Sequence, residues 1–215
     1  MVSPTPMHAD FLEMPDQSTY AQTWAKQLVL HEYRHAVQMQ KVNQGFTKGL
    51  TYAFGQQAIG GIMGVFLPFW FIEGDAVFSE TIYSNSGRGR SPDFTMDLKA
   101  QVLDKNIYKY DKALYGSFKN YVPDHYTLGY ELVVSGNINY GEDLWNNTLN
   151  KVARRPYIFV PFTKSIKDIT GKGKVGYYNN VMNSRKSNWL KTDSIIPELQ
   201  IITPSKNKHY SNYPF

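Results

Sequence analysis

The most informative absence in this sequence is cysteine, of which the 215 residues contain none. Without thiols the chain can form neither a disulfide framework nor a metal site with thiolate ligands. Any zinc ion that it binds must therefore be held by the side chains of histidine, aspartate or glutamate.

A concentrated basic surface is also missing. The formal net charge is +5, but the lysines and arginines are scattered, and their densest grouping lies between Lys164 and Lys191. Domains that bind nucleic acids usually concentrate such charge on one face or along one helix. The sequence therefore predicts no nucleic-acid partner.

The sequence has no hydrophobic run long enough to cross a membrane. The strongest candidate, AIGGIMGVFLPFWFI at residues 58–72, is shorter than the roughly 20 residues that a span requires, and Pro68 interrupts it. We expect a buried helical stretch here and no transmembrane segment. The N-terminus, MVSPTPMHADF, lacks the basic and apolar regions of a secretory signal. The chain is then either cytoplasmic or normally preceded by a leader.

What the chain does contain is enough apolar surface for a core, with 42% hydrophobic and 15% aromatic residues. We expect a single domain over residues 1–215 and a mainly α fold. A strand fits only in residues 1–17, where prolines confine it to an edge, and residues 192–215 read as an extended tail.

The polar, glycine-containing segment SNSGRGRSPD reads as a loop. Helical periodicity and capping residues predict helices near residues 19–43, 48–67, 68–84, 93–105, 110–121, 124–138, 141–154, 161–170 and 174–190.

The motif HEYRH, at residues 31–35, places two histidines four residues apart in the first predicted helix. Positions i and i+4 lie one turn apart on one face, so His31 and His35 can direct imidazole nitrogens at one ion, with Glu32 beside it. A chain of this composition would contain HExxH by chance only roughly 0.004 times. The motif therefore predicts a zinc site more strongly than two histidines that merely pack on a helix.

A hydrolytic zinc site has three protein ligands and one open position, so a third ligand must come from elsewhere in the chain. Gln38 and Lys41 stand where metzincins require glycine and histidine, which excludes that group. Glu73 is a strong candidate, because it follows four apolar residues in PFWFIEGDAVFSE, and an unpaired buried carboxylate is costly. The alternatives are a solvent-facing Glu73 and other acidic residues or the remaining histidines, His8, His125 and His209.

The ordered segments HEYRH and FIEGDAVFSE resemble the zinc-binding helices of gluzincin metallopeptidases, the peptidase MA-like enzymes with HExxH on one helix and an EGxA segment on a later one. The similarity extends through DHYTLGYELVVSGNINYGEDLWN and PFTKSIKDITGK, over most of residues 1–170. It implies that His31, His35 and Glu73 bind zinc and that Glu32 is the general base of peptide-bond hydrolysis.

The resemblance also implies a tyrosine hydroxyl beside the carbonyl oxygen that becomes negatively charged during hydrolysis. Tyr126, in DHYTLGY, occupies the matching place. His125 and Tyr130 are neighbouring alternatives, and ordinary helix packing explains a tyrosine at this position equally well.

Three further polar residues lie near these positions. Asp75 and Glu80 could orient a ligand imidazole, as zinc-bound histidines usually require, or could be solvated charges. Gln38 lies one turn after His35 and could contact substrate or a ligand.

The chain departs from the gluzincin pattern before its first helix. Gluzincins have an N-terminal β lobe, whereas only about 18 residues precede the first predicted helix here. Residues 1–17 look like the last strand of such a lobe, so we expect a fragment of a longer protein. A missing upstream leader would then make a secreted, periplasmic or cell-surface location possible. No GxMEN-type segment precedes HEYRH, so no exopeptidase specificity is favoured.

Three hypotheses follow from the sequence. The first is a zinc metallopeptidase that acts on a peptide or protein substrate. The second is a non-proteolytic zinc-binding or scaffold domain that retains the gluzincin site. The third is a structural helical domain in which His31 and His35 only pack. Zinc that raises the melting temperature would exclude the third, because only specific binding to the folded state stabilises it.

Overall fold

Residues 23–193 are described by the structure, a computed structural model. Over this range the chain is mainly helical, with no strand. This confirms the predicted mainly α class. The strand predicted in residues 1–17 and the tail beyond residue 193 lie outside the described residues, as do His8 and His209.

The α-helices follow one another along the chain with short connections, and a 3₁₀ helix, Arg88–Arg90, lies between the fourth and the fifth. The α-helices are α1 (Trp24–Val42), α2 (Gly45–Phe54), α3 (Gln57–Phe66), α4 (Phe69–Ile82), α5 (Pro92–Lys105), α6 (Tyr110–Tyr115), α7 (His125–Tyr140), α8 (Asp143–Arg154), α9 (Pro161–Thr170) and α10 (Lys174–Asp193).

The predicted helix at 48–67 is wrong, because two helices, α2 and α3, occupy this region. They separate at Gly55, whose φ of 71° is a backbone conformation that residues with a Cβ atom rarely adopt. The helix predicted at 110–121 also ends early, at Tyr115, where Gly116 has a φ of 83°. At the other end of the chain, α10 continues through Asp193 and so enters the predicted tail.

Helix α4 lies at the centre of the fold and packs mainly against α7 and α1. Its crossing with α7 is a backbone contact between two glycines. A Cβ atom on Gly74 would lie 2.2 Å from the carbonyl carbon of Gly129, and one on Gly129 would lie 1.9 Å from the carbonyl oxygen of Trp70. Only glycine fits at either position, so these two residues set how closely α7 approaches the acidic side chains of α4.

An aromatic cluster packs around the start of α4. Trp70 and Phe71 pack against Trp145 and Phe162, with ring centroids between 5.0 and 6.2 Å apart. All four side chains are buried. Burial of such large rings dominates the stability of a core. The cluster therefore anchors the start of α4, the helix that carries Glu73.

The stretch at 58–72, predicted to be buried, divides at the junction between α3 and α4. Ile59 and Met63 face the core, whereas Val65 is 74% exposed. Within residues 23–193 no single helix is both long and apolar enough to cross a membrane. Helices α3 and α4 meet the length and composition criteria only as a pair bent by 105°.

Candidate metal centre

Three side chains from two helices meet at the contact between α1 and α4. His31 Nε2 lies 3.1 Å from Glu73 Oε2, and His35 Nε2 lies 3.3 Å from His31 Nε2 and 3.5 Å from Glu73 Oε2. His31 and Glu73 are buried, and His35 is partly exposed. The structure thus brings together the three residues expected as ligands, and this cluster could hold a metal ion.

The His31 ring is held from behind by a carboxylate and an arginine. Its Nδ1 lies 3.2 Å from Glu80 Oε2. Glu80 is fully buried and also accepts hydrogen bonds from the Arg88 side chain, at 2.7 Å from Nε and 3.1 Å from Nη2. Arg88 Nη2, which can only donate, lies closer to Nδ1, at 2.8 Å, so Arg88 favours a lone pair on Nδ1 whereas Glu80 favours a proton there. The other ring nitrogen, Nε2, faces the cluster, 3.1 Å from Glu73 Oε2.

The His35 ring is held by a longer chain of contacts. Arg34 donates two hydrogen bonds to Asp75, at 2.7 and 2.9 Å, and the Gln38 amide nitrogen donates to Asp75 and to the carbonyl oxygen of Ile72. These donations fix the Gln38 amide so that its Oε1 faces His35 Nδ1, at 3.0 Å. His35 Nδ1 is therefore the donor, and when this imidazole is neutral its Nε2 carries a lone pair toward the cluster.

Two imidazole nitrogens and one carboxylate oxygen converge on a single point. The three atoms are His31 Nε2, His35 Nε2 and Glu73 Oε2, at separations of 3.1 to 3.5 Å. Atoms at these separations can be joined by protons, as hydrogen bonds, or by a metal ion. The arrangement could therefore hold a cation.

Electrostatics agree with this assignment. Burial by itself raises the pKa of the Glu73 carboxyl, but hydrogen bonds with His31 and His35 outweigh it and hold that pKa well below its usual range. Burial lowers the pKa of His31, but the carboxylates of Glu73 and Glu80 outweigh burial, so the net direction is upward. The carboxylates therefore favour positive charge on His31, and the two histidines favour the ionised form of Glu73.

A glycine-flanked turn delivers Arg88 to this site. A Cβ atom on Gly87 would lie 2.3 Å from the Cα atom of Thr81, and one on Gly89 would lie 2.3 Å from the ring of Tyr130. The glycines thus let the turn lie directly on α4 and α7, with the Arg88 guanidinium 5.2 Å from the centre of the Tyr126 ring. Sequence reasoning missed Arg88, and the only signal for it was an arginine between two glycines in SGRG.

The two expected catalytic residues are Glu32, which directly follows His31 in α1, and Tyr126, near the start of α7. Glu32 is partly buried, and within residues 23–193 its carboxylate has no hydrogen-bond or ion-pair partner. The ring of Tyr126 lies 6.1 Å from that of His31. Burial, followed by the negative charge of Glu73, raises the pKa of Tyr126 above its usual value.

The alternatives to Tyr126 have other contacts. The ring of His125 packs between the rings of Phe69 and Tyr126, at 4.7 and 4.5 Å, and His125 is not part of the metal-binding cluster. The Tyr130 hydroxyl donates to the carbonyl oxygen of Gly89, at 3.3 Å. Of the three, only Tyr126 contacts one of the expected ligands among the described residues.

The structure also gives the positions of Asp75 and Glu80, whose roles the sequence left open. Asp75 is 2% exposed and Glu80 0%, so the interpretation of either as a solvated charge is wrong. Glu80 contacts His31 directly, whereas Asp75 acts on His35 through Gln38.

Comparison of the chain with protein-family models, with curated proteins and with solved structures gives no match. The resemblance to gluzincins accordingly stays a prediction. What the protein does has to be inferred from the residues and the geometry of this site.

Proposed function

We propose that the protein is a zinc-dependent metallopeptidase of the gluzincin type, which hydrolyses peptide bonds with Glu32 as general base. The observation that supports it most is the convergence of three ligand atoms, on His31, His35 and Glu73, with Glu32 next to His31 in the motif.

The spacing of the donor atoms supports zinc in particular. Ligand atoms of a tetrahedral zinc site, with bonds of about 2.0–2.1 Å, lie about 3.3 Å apart. Here the separations are 3.1, 3.3 and 3.5 Å. Two histidines and one glutamate also form a ligand set of hydrolytic zinc sites, which keep a fourth position open. Each imidazole has the outer partner that orients zinc-bound histidines.

The residues around the site suit hydrolysis of an amide. Zinc, when bound, would polarise the scissile carbonyl group and make water acidic enough to attack near neutral pH. The Glu32 carboxylate takes a proton from the attacking water and returns it to the amine nitrogen as the carbon–nitrogen bond breaks. Tyr126, whose raised pKa keeps its hydroxyl protonated, donates a hydrogen bond to the carbonyl oxygen as that oxygen gains charge.

The test combines metal content with turnover. Purified protein should contain close to one zinc ion per chain and cleave a pool of fluorogenic peptides. Glu32→Gln should keep the zinc and lose about 10²- to 10⁴-fold in turnover, the usual contribution of a general base. Tyr126→Phe should retain zinc and lose less.

Two results would contradict the proposal. Unchanged turnover in Glu32→Gln would exclude the assigned chemistry. Stoichiometric zinc with no cleavage of any peptide, also when an upstream segment is restored, would instead support the non-proteolytic zinc-binding domain.

A further inference from the structure

An apolar groove lies where α3 meets α4, and one of its lining residues, Phe69, lies one helical turn before Glu73. Its walls are residues 64–69, residues 156–163, the α6 side chains Tyr110, Leu114 and Tyr115, and Lys174. It encloses about 630 Å³. That volume falls within the range of clefts that bind small molecules or peptide side chains.

The groove exposes large apolar side chains on both of its walls. Phe159 is 83% exposed and Tyr157 69%, while Val65 and Phe69 on the facing wall are 74% and 55% exposed. Among residues 23–193 no acidic residue lines the groove, and Lys174 is the only charged one that does. A concave apolar surface with a single cation fits an uncharged or weakly acidic ligand, and it disfavours a basic one.

Backbone strain maintains one wall. Val160 has a φ of 51° and a ψ of 58°, the left-handed conformation, which is a genuine outlier for a β-branched residue. The following residue, Pro161, further restricts the backbone of Val160 and favours an extended conformation instead. Strain of this kind is typical of functional sites, where the surrounding structure holds it in place. Tyr157 and Phe159, which shortly precede the strained Val160, both have exposed side chains.

The groove and the metal cluster share one side of α4. Phe69 lines the groove and precedes the ligand Glu73 by four residues, so both project from the same face. The ring of Phe69 packs on His125, and His125 packs on Tyr126 beside the cluster. One helical turn rises about 5.4 Å, which about two residues of an extended peptide span.

We propose that this groove binds a large apolar side chain of the peptide substrate, within about two residues of the bond that is cleaved. This inference rests on the proposed peptidase function, which supplies the peptide. It assigns the substrate class as chains with phenylalanine, leucine or a similar residue near the scissile bond and without basic residues there.

The first experiment measures binding without cleavage. Zinc-loaded Glu32→Gln protein is titrated into two fluorescein-labelled peptides of equal length and charge, which differ by one phenylalanine-to-serine replacement, and anisotropy is recorded. The phenylalanine peptide should bind at least about ten-fold more tightly, the expected effect of burying one aromatic side chain.

A matched pair of further substitutions locates the effect. In the Glu32→Gln background, Phe159→Ser should remove most of the preference for phenylalanine. Tyr52→Ser should leave it unchanged, because Tyr52 is 82% exposed on α2 and lies outside the groove lining. Both positions are exposed, so both variants are expected to fold.

The outcomes separate this inference from the proposed function. Phenylalanine-dependent binding that Phe159→Ser abolishes supports the groove even if wild-type protein cleaves nothing. Wild-type cleavage at a fixed distance from phenylalanine, no more than two residues away, supports both. Equal binding of the two peptides overturns the groove assignment and leaves the peptidase proposal standing. Self-association that Phe159→Ser disrupts, without peptide binding, also overturns it, because the occupant would be a second copy.

Discussion

His31 and His35 belong to one motif and face one site, yet the protein holds the two rings by different means. Behind His31 stands a carboxylate in direct contact, Glu80, which Arg88 neutralises. Behind His35 stands an amide, Gln38, and the ion pair of Asp75 with Arg34 lies one step further out. We call these the His31 arm (His31, Glu80, Arg88) and the His35 arm (His35, Gln38, Asp75, Arg34).

The difference shows that residues close to the motif orient the His35 ring, whereas a turn outside the motif helps to orient the His31 ring. The His35 arm uses only α1 and α4, and three of its four members lie within five consecutive residues of α1. The His31 arm depends on Arg88, which the glycine-flanked turn after α4 carries. A direct carboxylate also increases the basicity of the imidazole more than an amide does. We therefore expect metal affinity to depend more on the outer members of the His31 arm.

The largest expected effect is the loss of bound zinc when a ligand is removed, and it should be equal for the two arms. His31→Ala and His35→Ala each remove one of three ligands, and both should reduce zinc to less than about a tenth of the wild-type content after dialysis. His125→Ala is the matched control, because His125 lies outside the cluster, and it should retain zinc. Elemental analysis of the purified proteins checks this prediction. Zinc retained in either ligand variant would contradict the assigned site.

An intermediate effect should appear in the His31 arm alone. Arg88→Ala leaves the buried carboxylate of Glu80 without its cation and frees His31 to rotate, so we expect zinc affinity to fall about 10- to 100-fold. Arg88→Lys should restore part of it. Competition with a chromogenic chelator measures the dissociation constant.

A second change reaches the same arm through the backbone. Gly87→Ala should also weaken zinc binding, because its Cβ atom would meet the backbone of Thr81. Gly60→Ala, where a Cβ atom meets nothing within 4 Å, is the control and should have wild-type affinity. Wild-type affinity in both Arg88→Ala and Gly87→Ala would show that the turn has no influence on the metal.

The smallest effect on zinc should come from the outer end of the His35 arm. In Asp75→Asn the amide oxygen can still accept the hydrogen bond from Gln38, so zinc affinity should change only a few-fold. Arg34 loses its charged partner, however, and the free energy of unfolding should fall by about 1–2 kcal/mol. Urea denaturation and the chelator competition together test this. A loss of zinc affinity as large as that of Arg88→Ala would mean that the two arms are equivalent.

The sequence identified some residues of the site and left the roles of others open, for physical reasons. The spacing of His31 and His35 fixes their relation on any helix, so the sequence reveals this pair directly. Glu73 could be nominated because a carboxylate among large apolar residues requires a positive partner. The sequence left the roles of Glu80 and Asp75 open, because a carboxylate in an amphipathic pattern is compatible with either solvent or an ion pair.

The fold shows the same division. Apolar periodicity predicted helices for most of residues 23–193, but it predicted a single helix at 48–67, because periodicity alone does not reveal the positive φ of Gly55. Gly74 and Gly129 are not distinguishable in the sequence from glycines that face solvent. Their function becomes visible only when the two helices are seen to cross with no room for a Cβ atom.

The sequence by itself determined the helical class and the donor set of the site, because these depend on composition and on spacing along one helix. Only the tertiary structure decided that Arg88 stands behind His31, and that the exposed aromatic residues line a groove one turn from Glu73. Contacts between residues far apart in the chain depend on how helices cross and where turns fold back. That packing is a property of the whole chain, and a local pattern does not encode it.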